Sequence, residues 1–539
     1  MRFFSNHLIL LLLFITIKSN ANNYINYSVT SNNVHHVSLI NPESFELSNS
    51  IKLGSALNED SLVFTNKNSS LIAIYLQQNT ENDDLIVLNK NTLDVKARLN
   101  IKKNGFQNEV KLNLFSVYIS NDDKNISVVS TDDKSSHIDL YDINNGQSLL
   151  SKSIKGHGFK FIRSKDLNYL AIQYTTKKNH IIRVININSL KTTALQNLGQ
   201  YPVVTHVFNN SMMISSEKPH PRTVQYKLSK LDFETNTITS YESNSLKPYV
   251  FVSDKDQKEA FVIGRNTTKK KDLFVVRFDK SDNFLKTDYK KKSNPINAVL
   301  NDNNSRLMII GEDKLSTINL ENNTLQTRIR IPFDPLDGII NANGTIGYLQ
   351  ENNGSQVGNF DLVAGKLIEQ SSAGRFMSQV LVNSRKTVLK LLIVGLVPNV
   401  IEMLFSRNDS NKNIMLSNDE NQLFVINATT NDLTIFDAKL LKKSSSNGTG
   451  AKSFLMSQGP HKNSPILIIG EKKISVIDNQ DNSLILSLEK AKLAGLDKVN
   501  DILFYSLNGA LNIYDMKNKK ELKVFNNSNS LAVYDFESY

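Results

Sequence analysis

Nine histidines, a Ser-rich background and a recurring Asp or Asn are the residues of this 539-residue chain whose types can do chemistry. Neutral imidazole binds metals and moves protons near neutral pH. The adjacent His35-His36 and the pair His206 and His220, around a loop with Pro219 and Pro221, are therefore the first candidates. Neighbours on a strand point to opposite faces, so His35 and His36 cannot easily share one metal, and surface or turn roles are expected. Asn301-Asp302-Asn303-Asn304-Ser305 is acidic and amide-rich like a calcium loop, yet lacks the Gly and the distant Glu at their spacing. Asp or Asn recurs at Asn89, Asp142, Asn186, Asp232, Asp279, Asn319, Asp361, Asp437, Asp478 and Asp515. Each closes an apolar run just before a turn, a position that suits a side chain accepting backbone N–H groups two residues on better than a ring of ligands. Gly-x-Ser-x-Gly is absent and nothing selects one serine as a nucleophile. Without cysteine there is no disulfide, thiolate metal site or thiol nucleophile. No catalytic, metal or cofactor-binding residue is assigned, and no cofactor is expected.

Lysines cluster at Lys269 to Lys271, Lys290 to Lys292, Lys442-Lys443 and Lys517 to Lys520, on expected hairpin turns rather than one helix face. Dispersed in this way they read as solubilising tips. If several met on one rim they could hold an acidic envelope polymer, and binding would fall steeply with salt. Tyr201, Phe208 and Tyr249 could line such a rim, although core packing is the default for aromatic residues.

The elements that position these residues are read from Lys124 to Leu150: the strand NISVVS, a polar turn, the strand IDLYD, then Asn144-Asn145-Gly146, which reverses the chain into a further strand. The same order recurs, and most separations between strand-end acids or amides lie between roughly 37 and 53 residues, the period of four-stranded repeats. Only Asp361 to Asp437 is about twice the period, and Val388 to Phe405 within it reads as a diverged unit. Lys390, Pro398, Asn399 and Glu402 argue against a transmembrane helix there. Helical spacing is limited to short ambiguous pieces near Ala373 to Ser384 and Leu488 to Leu496.

The turns Ser120-Asn121-Asp122-Asp123-Lys124, Ser164-Lys165-Asp166-Leu167-Asn168 and Ser417-Asn418-Asp419-Glu420-Asn421 resemble the first turn of WD40-like and YVTN-type β-propeller repeats. IDLYDINNGQSLL and LNIYDMKNKKELKVF are similar to their third-to-fourth strand consensus. The resemblance implies an all-β chain of about twelve four-stranded blades, and says little about chemistry. Trp-Asp is missing, as tryptophan is altogether, and Gly-His occurs only at Gly156-His157. Propellers typically hold four to eight blades, so two tandem propellers are expected, residues 22–292 and 293–539, with the seam at Lys290 to Pro295. A seam at Pro332 to Pro335 is the alternative. Leu531 to Phe536 is a strand left over at the C-terminal side while the first unit lacks one, so residues 530–539 are expected to complete the N-terminal blade.

Residues 1–21 read as a signal peptide: Arg2, an apolar run from Leu8 to Ile17, and Ser19-Asn20-Ala21 as the cleavage site. Cleavage removes Arg2 and Lys18 but no acid, so the formal charge falls from +11 to +9. A periplasmic or secreted protein with no transmembrane segment after cleavage is expected, with the eukaryotic secretory route as the alternative. Asn26, Asn343 and Asn447 head Asn-x-Ser/Thr sites, which an Asn-rich chain also produces by chance. The expected role is an exported binding or scaffold protein with a protein or acidic-polymer partner; nucleic acid is disfavoured. A lactonase-like hydrolase, which the YVTN-type resemblance permits, is the alternative, so an enzyme stays open but is not preferred.

Overall fold

In the computed structural model, residues 23–534 are described except 30–33, 57–61, 66–68, 79–81, 103–114, 132–134, 156, 165–167, 176–179, 187–188, 190, 196–199, 209, 219–224, 244–245, 255–258, 267–271, 279–283, 293, 352–355, 373–412, 427–431, 449–452, 471–472 and 527–528. The N-terminal 22 residues, His220, Asp279, Lys269 to Lys271, and the Ala373 to Ser384 and Val388 to Phe405 stretches therefore lie outside the described residues.

The described chain is all β and forms eleven four-stranded antiparallel sheets. Ten are consecutive strand quartets, spanning residues 62–102, 115–155, 157–195, 200–243, 246–292, 295–330, 335–372, 414–448, 453–489 and 492–525, numbered here first to tenth. The eleventh is assembled from both ends of the chain. Asn529–Tyr534 pairs with Tyr24–Val29, which pairs with Val34–Ile40 and then Leu47–Ser55. The Leu488 to Leu496 piece with ambiguous helical spacing is two strands, Leu484–Glu489 and Lys492–Asp497, reversed at Lys490, whose φ is 62°. Lys290 to Lys292 ends the strand Phe284–Lys292 instead of forming a turn.

Burial explains why the middle strands read as apolar runs and the last ones do not. Leu71–Leu76 and Ile466–Gly470 are buried at every position, whereas the fourth strands Thr324–Arg330 and Lys366–Ser372 are largely half-buried or exposed. Sheets stacked face to face bury both faces of their middle strands, and successive side chains alternate between the two faces. Thus Leu307 and Ile309 pack with Phe261 and Ile263 of the fifth sheet, while Met308 and Ile310 pack with Leu349 and Phe360 of the seventh. Shared cores therefore run across both Lys290 to Pro295 and Pro332 to Pro335. In the eleventh sheet, Tyr24 and Ile40 face Phe504 and Ile513 of the tenth, whereas Ile25, Tyr27 and Val37 share a core with Ile72 and Ile74 of the first.

Because strands alternate in direction, the turns joining strand one to two and three to four of a sheet fall at one end, here the turn end. The hairpins from strand two to three and the links between sheets fall at the other, the linker end.

Candidate functional site

The turn end accounts for most of the acids and amides that recur in sequence. Asp142, Asp361, Asp437 and Asp478 each accept the backbone N–H two residues on, from Asn144 (2.7 Å), Val363 (2.9 Å), Lys439 (2.9 Å) and Gln480 (2.7 Å). Asn89 and Asn319 do the same, and Asp232 and Asp515 accept from the third residue on. Four residues after these positions comes a residue in the left-handed region: Leu93, Gly146, Asn236, Asn323, Gly365, Leu441, Asn482 and Lys519. That geometry fits a tight hairpin with a bulge on the receiving strand. In the turns that carry the repeat resemblance, Ser120, Ser164 and Ser417 each accept the N–H five residues on at 3.0 Å. The calcium-like loop is a turn of this class: the Asn301 side-chain oxygen accepts Arg306 N–H at 2.7 Å, and its amide donates to the Ala342 carbonyl at 3.1 Å.

The first turns also bind neighbouring sheets together. Asp123, at φ 57°, accepts from Ser70 N (2.9 Å), Ser70 Oγ (2.5 Å) and Ser69 Oγ of the preceding sheet. Glu420 accepts Ala342 N–H at 2.6 Å, and Asp501 accepts from Ser464 Oγ at 2.9 Å. Two of these junctions have shifted titration. Burial pulls the Lys90 ammonium down to about 8, opposed by the charge of Asp123. Burial pushes the Asp501 carboxyl up against Ser464, His461 and Lys517; its Oδ1 is buried without a hydrogen-bond partner and abuts Gly459.

Among the described residues the histidines do not converge. His35 is fully buried and bonds the Tyr27 hydroxyl through Nδ1, while His36 is half-buried, its pKa lowered by burial and by Lys52. His206 lies in the strand Gln200–Phe208. Among the described residues no three His, Asp or Glu side chains gather as a metal site, and no helix is long and apolar enough to cross a membrane. Asn26 is buried and donates to Ser38 at 3.2 Å, whereas Asn343 is exposed.

The linker end carries the arrangement best suited to a ligand. The first strands of the fourth to seventh sheets each place a proline at a register shift: Pro202, Pro248, Pro295 and Pro335. A first strand is a sheet edge, where the missing proline N–H is tolerated. The shift leaves the residue after each proline, Val203, Tyr249, Ile296 and Leu336, without a cross-strand partner. Tyr249 is half-buried, with Lys247 Nζ and the Arg265 guanidinium each 5.4 Å from its ring centroid. Lys247 and Arg265 are direct partners across the two strands. Arg265 Nη1 donates to Asn294 Oδ1 (2.6 Å), and Asn294 Nδ2 donates to Glu312 Oε2 (2.8 Å). Burial raises the Tyr249 hydroxyl pKa, Arg265 opposing and Glu312 adding to the shift. Tyr249 was legible as a candidate rim aromatic; Arg265 was not, because only the strand register brings it beside Lys247. The side chains of Tyr201 and Phe208 lie outside the described set.

No protein-family model matches the chain, and no curated protein matches it. Among solved structures it is similar to apo AztD from Citrobacter koseri, at 10% identity and a TM-score of 0.37 over 84% of this chain and 99% of that one. It is also similar to Hsv2 from Kluyveromyces lactis, at 11% identity and a TM-score of 0.33 over 61% and 97%. Overlap of that extent assigns the chain to neither protein's family.

Proposed function

We propose that the chain is an exported binding or scaffold protein that holds a protein or acidic-polymer partner on its linker end. The carrying observation is Tyr249, on the edge strand of the fifth sheet, with Lys247 and Arg265 each 5.4 Å from its ring centroid. Like charges paired directly across two strands repel, and Glu312 reaches Arg265 through the Asn294 amide. An acidic partner would relieve that repulsion, and a cation beside a tyrosine face gains strength when it is desolvated. A repetitive all-β fold is compatible with this role, since edges and loops on a rigid scaffold commonly carry recognition. Export rests on Arg2, the Leu8 to Ile17 run and Ser19-Asn20-Ala21, and is tested by N-terminal sequencing of the mature protein, with Asn22 expected first.

The test of function is affinity capture from extracts of the protein's own cell at low and high salt, with bound material identified by mass spectrometry. One partner retained at high salt and lost from Tyr249→Ala supports the reading. No bound partner at either salt refutes it, and turnover of lactones and other esters is then the activity to screen.

A further inference from the structure

We propose that Asp501 is an acid-operated clasp between the ninth and tenth sheets: ionised, it leaves their junction loose, and protonated, it locks the junction. The first turns of the two sheets meet at the turn end. Ser464 of the ninth donates its hydroxyl to Asp501 Oδ2 at 2.9 Å, and His461 Nε2 donates to the Val499 carbonyl at 3.1 Å. Between the same sheets, Leu467 and Ile469 share a core with Leu503 and Tyr505.

Two buried carboxylates of the tenth sheet's turn have opposite settings. Asp497, 2% exposed, uses both oxygens: it accepts the Tyr24 hydroxyl (2.8 Å), the Asn500 side-chain amide (2.7 Å) and the N–H groups of Val499 and Asn500 (3.0 Å each). Asp501, 1% exposed, uses Oδ2 alone, and Oδ1 has no hydrogen-bond partner. That oxygen sits among other acceptors. Asp501 Oδ1, Ser464 Oγ and the Lys498 carbonyl oxygen lie 2.3, 2.6 and 2.8 Å from the one point that a Gly459 Cβ would occupy. The Ser464 hydroxyl proton is already given to Oδ2, so a proton on Oδ1 is the donor that this group of oxygens lacks. A buried acceptor left unpaired costs free energy, which protonation recovers.

Burial raises the Asp501 pKa; Ser464, His461 and Lys517 oppose the rise and Asp497 adds to it, while Lys462 and Lys498 stand in the same two turns. Because the folded value lies above 3.8, ionisation weakens the clasp as pH rises and protonation restores it as pH falls. Asp419 and Asp478, in nearby turns of the eighth and ninth sheets, are shifted down instead, burial there being outweighed by hydrogen bonds that include those from Ser417 and Lys519. Mild acid therefore neutralises Asp501 before these neighbours.

The chain has no cysteine, so an introduced thiol is unique. The test, in the full chain at pH 7 and pH 5, is the labelling rate of Ile469→Cys, in the ninth–tenth core, divided by that of Val425→Cys, in the seventh–eighth core. Leu467→Cys gives a second reading of the first core. The ratio is expected to fall about fivefold on acidification, the factor that one buried hydrogen bond carries. Asp501→Asn, at a φ of 57° that Asn adopts readily, should hold the ratio at its acid value at both pH values. His461→Gln should leave the fall unchanged. An unchanged ratio in the wild-type background, or a fall that persists in Asp501→Asn, overturns the clasp. Loss of the fall in His461→Gln assigns the response to the histidine and overturns it as well.

Discussion

Asp123→Asn tests whether the first turns lock successive sheets together. The residue sits at φ 57°, a region that Asn adopts readily, so the change removes charge and one acceptor without new backbone strain. Two losses follow. Ser69, 5% exposed, and the Ser70 N–H and hydroxyl share the two carboxylate oxygens. An amide nitrogen in place of one oxygen strands at least one of those donors, at about 1–3 kcal/mol. The second loss is electrostatic and has a ceiling. Lys90 is 7% exposed and its pKa is already pulled down to about 8, so at pH 7 it can shed its proton for about 1.4 kcal/mol. Losing Asp123 cannot cost more than that through Lys90. The total is about 3 kcal/mol at pH 7. Because the folded pKa of Lys90 lies below its unfolded value of 10.5, its burial penalty applies at low pH and is relieved as pH rises through about 8 toward 10.5. The Asp123→Asn deficit should therefore shrink between pH 7 and pH 10. The assay is urea unfolding at both pH values, with hydrogen exchange of the Leu71–Leu76 and Asn125–Thr131 amides as the local readout. Lys90→Met in both backgrounds should give a coupling of no more than about 1.4 kcal/mol. A deficit under 1 kcal/mol, or one that grows with pH, would refute the reasoning.

Asp501→Asn should act in the opposite sense. The folded carboxyl has a raised pKa and an unpartnered oxygen, so its ionisation weakens the fold as pH rises above the ordinary carboxylate range. The variant should be more stable than wild type by about 1 kcal/mol at pH 7, with the difference gone near pH 4 in paired thermal melts. Gly264→Ala would place a Cβ 2.2 Å from the Lys247 carbonyl oxygen and 2.5 Å from the buried Phe274 ring; a loss of about 3 kcal/mol is expected in urea unfolding, since neither neighbour can yield cheaply. Removing residues 529–539 leaves Tyr24–Val29 without one of its two partner strands, and should cost several degrees of melting temperature; an unchanged melt would show that this pairing contributes nothing.

The repeat was readable because each unit carries its own punctuation. Asp142, Asp361 and Asp437 mark strand ends through local bonds to the next few backbone N–H groups, which sequence spacing captures. One of the left-handed positions was visible as Gly146, but the same geometry at Leu93, Leu441 and Lys519 gives no residue-type signal. Lys290 to Lys292 looked like a turn because lysines and a following proline punctuate the chain, whereas pairing of Lys292 opposite Asp272 keeps it in a strand. What lies between sheets was not legible. Ser70 and Asp123 are 53 residues apart, and Arg265 meets Asn294 across 29. Those contacts depend on how sheets stack and on register shifts at proline, neither of which has a local pattern.

The eleventh sheet has a consequence for synthesis. Tyr24 donates its hydroxyl to Asp497, 473 residues later, and Tyr24–Val29 finds its second partner strand later still. At about 5–20 residues per second, the emerging chain carries that unpaired edge for roughly half a minute to a minute and a half. Ile25 and Tyr27 can meet Ile72 and Ile74 early, but Tyr24 and Ile40 wait for Phe504 and Ile513. Throughout that interval the nascent chain presents a sticky strand to every neighbour, so faithful production of this molecule depends on how well its first strands are shielded until its last ones leave the ribosome.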